Sequence, residues 1–223
     1  MKRYLKYAIG EVFLVVIGIL IAVSLNNWNE NRKTNNRLKT ILEMVKTDLI
    51  KDSLSCYYSI KYYNSQDSIA KILVSDTVSK EYLKKNRSST SIPFTNIPFK
   101  MSDGSINLLK NESYNLAVAT DTIIRTIIGF HDMYEASFKD IDEKIKKDVQ
   151  DNTAHMKTFD SHAVDIFNKN IPDDYYTYFL SEDFKNRVVM HRQLTGNNAV
   201  KLMENFNLSV KNMIPYIDQR IAE

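Results

Sequence analysis

The chain has 223 residues with 30 basic and 27 acidic side chains, a formal net charge of +3, and charges so balanced and interspersed exclude the basic stripe of a nucleic-acid binder. A single cysteine, Cys56, excludes an intrachain disulfide framework. Only 5 glycines and 4 prolines argue against barrels, propellers and phosphate-cradling loops and favour long helices.

The first predicted element lies at the N-terminus. Residues 12–25 are apolar apart from Ser24, and extension to Tyr7 and Trp28 gives about the 20 residues a helix needs to cross a hydrocarbon core. Tyr4 and Tyr7 at one end and Trp28 at the other stand where interfacial aromatic belts stand. A cleaved signal peptide is the competing expectation, since Lys2, Arg3 and Lys6 form a basic n-region and Ala22-Val23-Ser24 is small-x-small. The apolar run continues through Leu25 to Trp28 without a helix-breaking stretch, which favours a span. For orientation, Lys2, Arg3 and Lys6 abut the apolar run, while Arg32, Lys33, Arg37 and Lys39 stand behind a neutral NNWN collar. This places residues 1–6 in the cytoplasm, residues 7–28 in the membrane and residues 29–223 on its outer side.

Glu11 is the exception within this segment. It lies about 6 Å beyond Tyr7 along a helix, shallow enough for its carboxylate to reach the headgroups. Alternatively it faces a partner, because Glu11, Val15, Gly18, Ala22 and Leu25 share one helix face and Gly18-x-x-x-Ala22 is a small-xxx-small packing pattern. Both roles remain open from the sequence. Proton or ion translocation is disfavoured, since one carboxylate in one span makes no pathway without other helices.

The stretch KRYLKYAIGEVFLVVIGILIAVSLNNWNENRK resembles the N-terminal signature of an uncharacterised bacterial family of single-span membrane proteins, in which a YAIGE-(apolar)-VIGILIA segment runs into NNWNE and then a helical domain. The similarity is specific over residues 4–33 and looser over GSINLLKNESYNLAVATDTI, residues 104–123. Val23-Ser24-Leu25 departs from the Leu-Gln pair more usual in relatives. The resemblance implies a small anchored envelope protein and brings no enzymatic activity.

Beyond the span, Leu38, Ile41, Leu42, Val45, Leu49, Cys56, Ile60 and Tyr63 recur at spacings of three and four, predicting a long helix over about 34–74 with one buried face, continuous with the span or separate from it. Cys56 falls on this face and reads as a small packed residue. Residues 76–85 are a possible extension after a break. Residues 86–104 collect Ser, Thr, Pro and Gly and read as a long loop carrying Ile-Pro-Phe twice. Its Phe94 and Phe99 either staple the loop to the helices or form a partner-docking arm.

A second helical region begins near Asn111 and presents Leu116, Ile123, Ile127, Phe130, Tyr134, Phe138, Ile141, Ile145 and Val149 at near-heptad spacing. A shorter segment is expected over 161–168. In DDYYTYF, the rings of Tyr175, Tyr176 and Tyr178 either turn into the core or offer a contact surface. Ser181 precedes Glu182 and Asp183 as an N-cap. The last region, 182–221, carries Phe184, Val188, His191, Leu202, Phe206, Met213 and Ile217 inward, with Gly196-Asn197-Asn198 as an interruption and Pro215 as a kink.

Chemistry-bearing constellations are sparse. His131 and Glu135 at i, i+4, and His162 and Asp165 at i, i+3, could each share a helix face, but neither pair has an evident third ligand and no HExxH or paired ExxH set occurs. No GxSxG elbow is present. His191 reads as a boundary histidine, and His155 lies in a polar stretch. No catalytic residue, metal or cofactor is expected. The sequence therefore points to an all-α protein: one N-terminal transmembrane helix followed by an elongated bundle of three to four long helices. Its expected function is that of a non-enzymatic interaction or accessory subunit of an envelope complex, whose partners are the bilayer and a membrane protein or a second copy. A periplasmic small-molecule sensor signalling through a partner is the alternative.

Overall fold

The computed structural model describes residues 2–114, 116–159 and 172–222, with the side chains of 2–9, 116–117 and 159 left outside the description. Among the described residues the protein is all helical, with no strand. The helices are α1 (Lys2–Leu73), α2 (Lys80–Lys85), α3 (Gly104–Glu112), α4 (Leu116–Ala119), α5 (Thr122–Phe159), α6 (Tyr175–Tyr178), α7 (Glu182–Arg192) and α8 (Val200–Ala222). A 3-10 helix, Arg87–Phe94, and a π-helix, Gln193–Ala199, complete the order. The segment expected over 161–168, with His162 and Asp165, lies outside the described residues.

Helix α1 is 72 residues long, about 108 Å at 1.5 Å per residue. No glycine or proline falls between Gly18 and Pro93, so nothing in the chain chemistry breaks the hydrogen-bond ladder at the end of the apolar run. Span-like and amphipathic segments are therefore one rod. Its first part is uncovered: Leu14 is 70% and Val12 64% exposed. One face becomes buried from Leu38 onward, through Ile41, Leu42, Val45, Leu49, Asp52, Cys56 and Tyr63 to Ala70 and Leu73. The rod ends where Ser75 Oγ donates to the Ile72 carbonyl at 2.7 Å, a local side-chain bond that competes with further helix. Ser79 then caps α2, its hydroxyl accepting from the Tyr82 N–H.

Antiparallel to α1 run α7, the π-helix and α8. Arg192 pairs with Asp67 near one end of the contact, and Lys46 with Asp218 near the other. Helix α5 runs parallel to α1. The connection must therefore return along the body, and the segment expected as a long loop does so in two parts. Its first half coils into the 3-10 helix, whose Pro93 carbonyl accepts from Asn152 Nδ2 on α5 at 2.9 Å. Its second half is an extended strap. Ile97 exchanges hydrogen bonds with the Tyr63 hydroxyl at 3.1 and 3.2 Å, Ser102 donates twice to the buried Asp52 carboxylate at 2.8 and 2.9 Å, and Ser105 on α3 donates to Asp48 at 2.6 Å. Helix α3, Gly104–Glu112, forms where the sequence reads as the end of a loop, its first turn held by these bonds to α1. The helical region read as starting near Asn111 is instead broken, with its long helix α5 beginning only at Thr122.

The larger core gathers α1, α3, α5 and α8 around Phe130, Tyr134, Phe138 and Phe206. Their rings meet at centroid distances of 4.9–6.2 Å, tilted or edge-on except for the stacked Phe130–Phe206 pair, within the range that aromatic quadrupoles favour. On α5 the inward positions are Ile124, Ile127, Phe130, Tyr134, Phe138, Ile141 and Ile145, with Ile123 and Val149 half-buried at the margins. The Leu116 side chain lies outside the described residues. A smaller core packs the end of α1 with α2, the 3-10 helix, α6 and α7.

Gly196-Asn197-Asn198 does not interrupt the last region; it sits in the π-helix. Buried positions there run His191, Thr195, Ala199, Met203, all four apart. Three such steps in an α-helix would rotate the row by about 120° off the core. The wider π turns absorb that drift, so Phe184 and Val188 before them stay buried in the smaller core while Phe206, Val210 and Ile217 after them are buried in the larger one. Pro215 lies inside α8, which continues to Ala222.

Asp121 closes the far end of the body. One carboxylate oxygen accepts from the N–H groups of Ile123 and Ile124 at 2.9 and 3.1 Å, capping α5, while the other accepts from Arg220 of α8 at 2.6 Å. Burial pulls this carboxyl up, but the Arg220 and backbone hydrogen bonds outweigh it and hold it below the usual range. Its folded value is therefore below its unfolded one, so its stabilisation is present above about pH 4 and fades as pH falls toward the folded value. Asp121→Ala is expected to cost about 1–3 kcal/mol. Thermal melts should show that cost at pH 7 and a smaller difference from wild type as the buffer is acidified below about pH 4.

Candidate functional site

The membrane-packing residues read from the sequence stand together on α1 and face outward. Glu11, Val15, Gly18 and Ala22 are all exposed, and a Cβ built on Gly18 meets nothing within 4 Å. No other described element covers this face. Trp28 is 60% exposed and carries the Arg32 guanidinium 5.2 Å from its ring centroid, an arrangement suited to cation–π attraction where an apolar run ends. The backbone at Tyr4 and Tyr7 is helical, and their side chains lie outside the described residues.

The aromatic contact candidates turn inward instead. Phe99 packs on Phe138 at 4.4 Å between centroids, and Phe94 packs against the smaller core. Both rings staple the strap to the helices, so neither forms a projecting arm. Tyr176 is 2% exposed, and Tyr175 and Tyr178 lie edge-on to Phe179 at 4.9 and 5.4 Å. Phe94 and the three tyrosines pack with Phe179 and Phe184 among the aliphatic side chains of the smaller core, whereas Phe99 joins the aromatic cluster of the larger one. By contrast, Tyr57 and Tyr58 on α1 are 55% and 61% exposed.

A polar network ties α5 to α7. His191, 3% exposed, places Nδ1 2.7 Å from Asp148 Oδ2. Asn152 Nδ2 donates to that same oxygen at 3.1 Å, and Asn152 Oδ1 accepts from Arg187. Arg187 also donates to Asp183 at 3.0 Å, which accepts from Tyr178 at 3.1 Å and lies 2.9 Å from His155 Nε2. Burial raises the Asp183 carboxyl, yet Arg187 and Tyr178 hold it below its ordinary range. Burial and the neighbouring Asp183 push the Tyr178 phenol up to about 12. His191 and His155 are thus both held by carboxylates, and these bonds satisfy buried polar groups.

His131 is different. It is 3% exposed, and its Nε2 lies 3.2 Å from the Ser102 carbonyl oxygen. Its Nδ1 is buried without a hydrogen-bond partner and stands 3.7 Å from Asp132 Oδ1 and 3.8 Å from Glu135 Oε2. The ligand atoms of all three side chains lie within 4.8 Å of one another. Asp132 is the third donor that the His131–Glu135 spacing lacked, and its adjacency in an H-D-x-x-E string was the available signal. Just behind His131, the strap's Ser102 holds Asp52, whose carboxyl is raised by burial despite those two hydrogen bonds.

A cleft of about 450 Å³ opens between α5 and α8, lined by Ile123, Thr126, Phe130, Ser209, Met213 and Tyr216. Its walls are largely apolar with a few hydroxyls, the composition of small-molecule sites. Cys56 lies away from it, fully buried, and burial pushes its thiol up to about 12, with Asp52 adding to the shift. A thiolate-dependent role is therefore disfavoured. A thiol reagent should leave Cys56 unmodified in the folded protein at pH 7–8 and label it stoichiometrically in denaturant, measured by intact mass.

No curated protein and no solved structure matches the chain. Residues 11–120 match the model of a family described as a family of unknown function (DUF6090), a stretch that takes in the uncovered part of α1, the strap and α3, and that is consistent with the resemblance to an uncharacterised family.

Proposed function

We propose that this protein is a membrane-anchored, non-enzymatic accessory or interaction subunit of a bacterial envelope complex, with residues 7–28 in the inner membrane and the helical body, a bundle of the long helices, in the periplasm. One observation carries the proposal: an apolar helix with 0% of its most apolar stretch buried is continuous with the helix that walls the core. An uncovered surface of this size is unfavourable in water and calls for a bilayer or a partner. The basic flank at Lys2, Arg3 and Lys6 supports the orientation, and the Trp28–Arg32 pair suits the outer interface. Within the membrane, Gly18 and Ala22 allow close approach by a second helix, with Glu11 bonded to a polar group there.

Gly18→Leu tests this packing cleanly, because the new side chain meets nothing in the chain itself. The body's melting temperature should stay unchanged while the full-length protein, extracted from its membrane in mild detergent, loses its co-eluting membrane partner or its self-association. Association that survives the added bulk overturns the packing face.

The cleft between α5 and α8 favours a second role, an envelope sensor signalling through a partner. A screen of small, mainly apolar molecules should then yield one that raises the melting temperature by mass action. Thr126→Trp, which fills the cleft mouth, should abolish that rise, and a rise unaffected by the substitution rules out this site.

A further inference from the structure

We propose that His131, Asp132 and Glu135 form a binding site for one borderline divalent cation, with Zn2+ the best fit. The case begins with the histidine. A carbonyl oxygen only accepts, so the Ser102 carbonyl at 3.2 Å fixes the proton on Nε2. In the neutral ring Nδ1 then offers a lone pair, and it is buried without a hydrogen-bond partner. The groups it faces, Asp132 Oδ1 at 3.7 Å and Glu135 Oε2 at 3.8 Å, are also lone-pair donors too distant for a hydrogen bond. Three lone-pair donors converging on one point are stabilised by a cation between them.

The geometry suits a transition metal. Ligand atoms bonded tetrahedrally at about 2.1 Å stand about 3.4 Å apart, so the two distances from Nδ1 need close by only a few tenths of an ångström. Any larger adjustment falls on the carboxylates, which are 50% and 49% exposed, with Asp132 the more constrained because Lys110 holds its Oδ1. That exposure also provides an entry path and room for water at a fourth position. The Ser102 carbonyl on Nε2–H is the outer partner that orients a metal-bound imidazole. An imidazole with two carboxylates favours zinc over magnesium or calcium, which prefer all-oxygen sets. Asp52 and Asp103 are both near enough to interact electrostatically with His131, although Lys100 pairs with Asp103 at 3.0 Å.

One residue opposes binding. Lys110 of α3 holds Asp132 Oδ1 at 2.7 Å and places a positive charge beside the site. The cation must therefore take the other Asp132 oxygen or displace the ammonium, so removing Lys110 should tighten binding, an effect that a purely structural role for these residues would not produce.

The test uses the full-length protein in mild detergent, stripped with a chelator, dialysed and titrated with Zn2+ by calorimetry, with Co2+ absorption as a second readout. One Zn2+ per chain is expected, with no binding of Mg2+ or Ca2+ at the same concentration. Glu135→Gln and Asp132→Asn alter half-exposed side chains and should keep the fold while weakening Zn2+ at least about tenfold. Lys110→Met should tighten it severalfold. Absence of stoichiometric binding overturns the proposal, as does wild-type affinity in both carboxylate variants, which would move the ion to another place such as the His155–Asp183 pair.

Discussion

The structure depends on one unbroken backbone ladder. Helix α1 carries an uncovered apolar face over its first part and a single buried face from Leu38 onward, and the absence of Gly or Pro between Gly18 and Pro93 keeps the two parts on one axis. Helix α8 lies antiparallel along this rod and α3 packs beside it, and α5 runs parallel to it, joined mainly through α3, the 3-10 helix and α8. In the proposed membrane setting, the Gly18 packing face and the wall of the helical body are parts of one continuous helix.

Because α1 and α5 run the same way, the chain must travel back along the body between them. The strap does this without forming a strand, and its polar backbone is satisfied one bond at a time by α1 and α5. Tyr63 bonds both backbone groups of Ile97, Asp52 accepts from the Ser102 N–H and His131 meets the Ser102 carbonyl. Asn152 holds the Pro93 carbonyl just before the strap, and Asp48 the Ser105 hydroxyl just after it. Burying Asp52 is unfavourable, as its raised carboxyl shows, and its two hydrogen bonds from Ser102 offset that cost. The strap therefore has a single register, and with it the Ser102 carbonyl sits where His131 can donate to it. The proposed cation site is a consequence of that register: Ser102 sets which imidazole nitrogen is left to face Asp132 and Glu135.

Two other features show local chemistry adjusted to packing. The π-helix resets the phase of the last region so that its N- and C-terminal halves address both cores. Asp121 serves at once as the N-cap of α5 and as the ion-pair partner of Arg220, joining the start of one helix to the end of another where both are least supported by backbone bonds.

The sequence by itself determined the helical class, the apolar N-terminal helix, the inward faces of α1 and α5 and the Ser181 cap, because each rests on periodicity or on side-chain chemistry within a few residues. It also showed a single small-residue face around Gly18, for the same reason. Tertiary structure alone decided the rest. Whether Phe94 and the tyrosines of 175–178 pointed out or in depended on a second core that joins residues 69–94 to residues 175–188, and Phe99 was drawn into the larger core by α5 and α8. The separate helix α3 before α5 depended on bonds from Ser102 and Ser105 to residues about fifty positions earlier. Asp132 was adjacent to His131 in plain view, but nothing local says that the imidazole is buried, that Ser102 holds its Nε2, or that Nδ1 is left facing two carboxylates. Those are long-range facts, set by which segments the core brings together, and the periodic pattern of any one helix does not contain them.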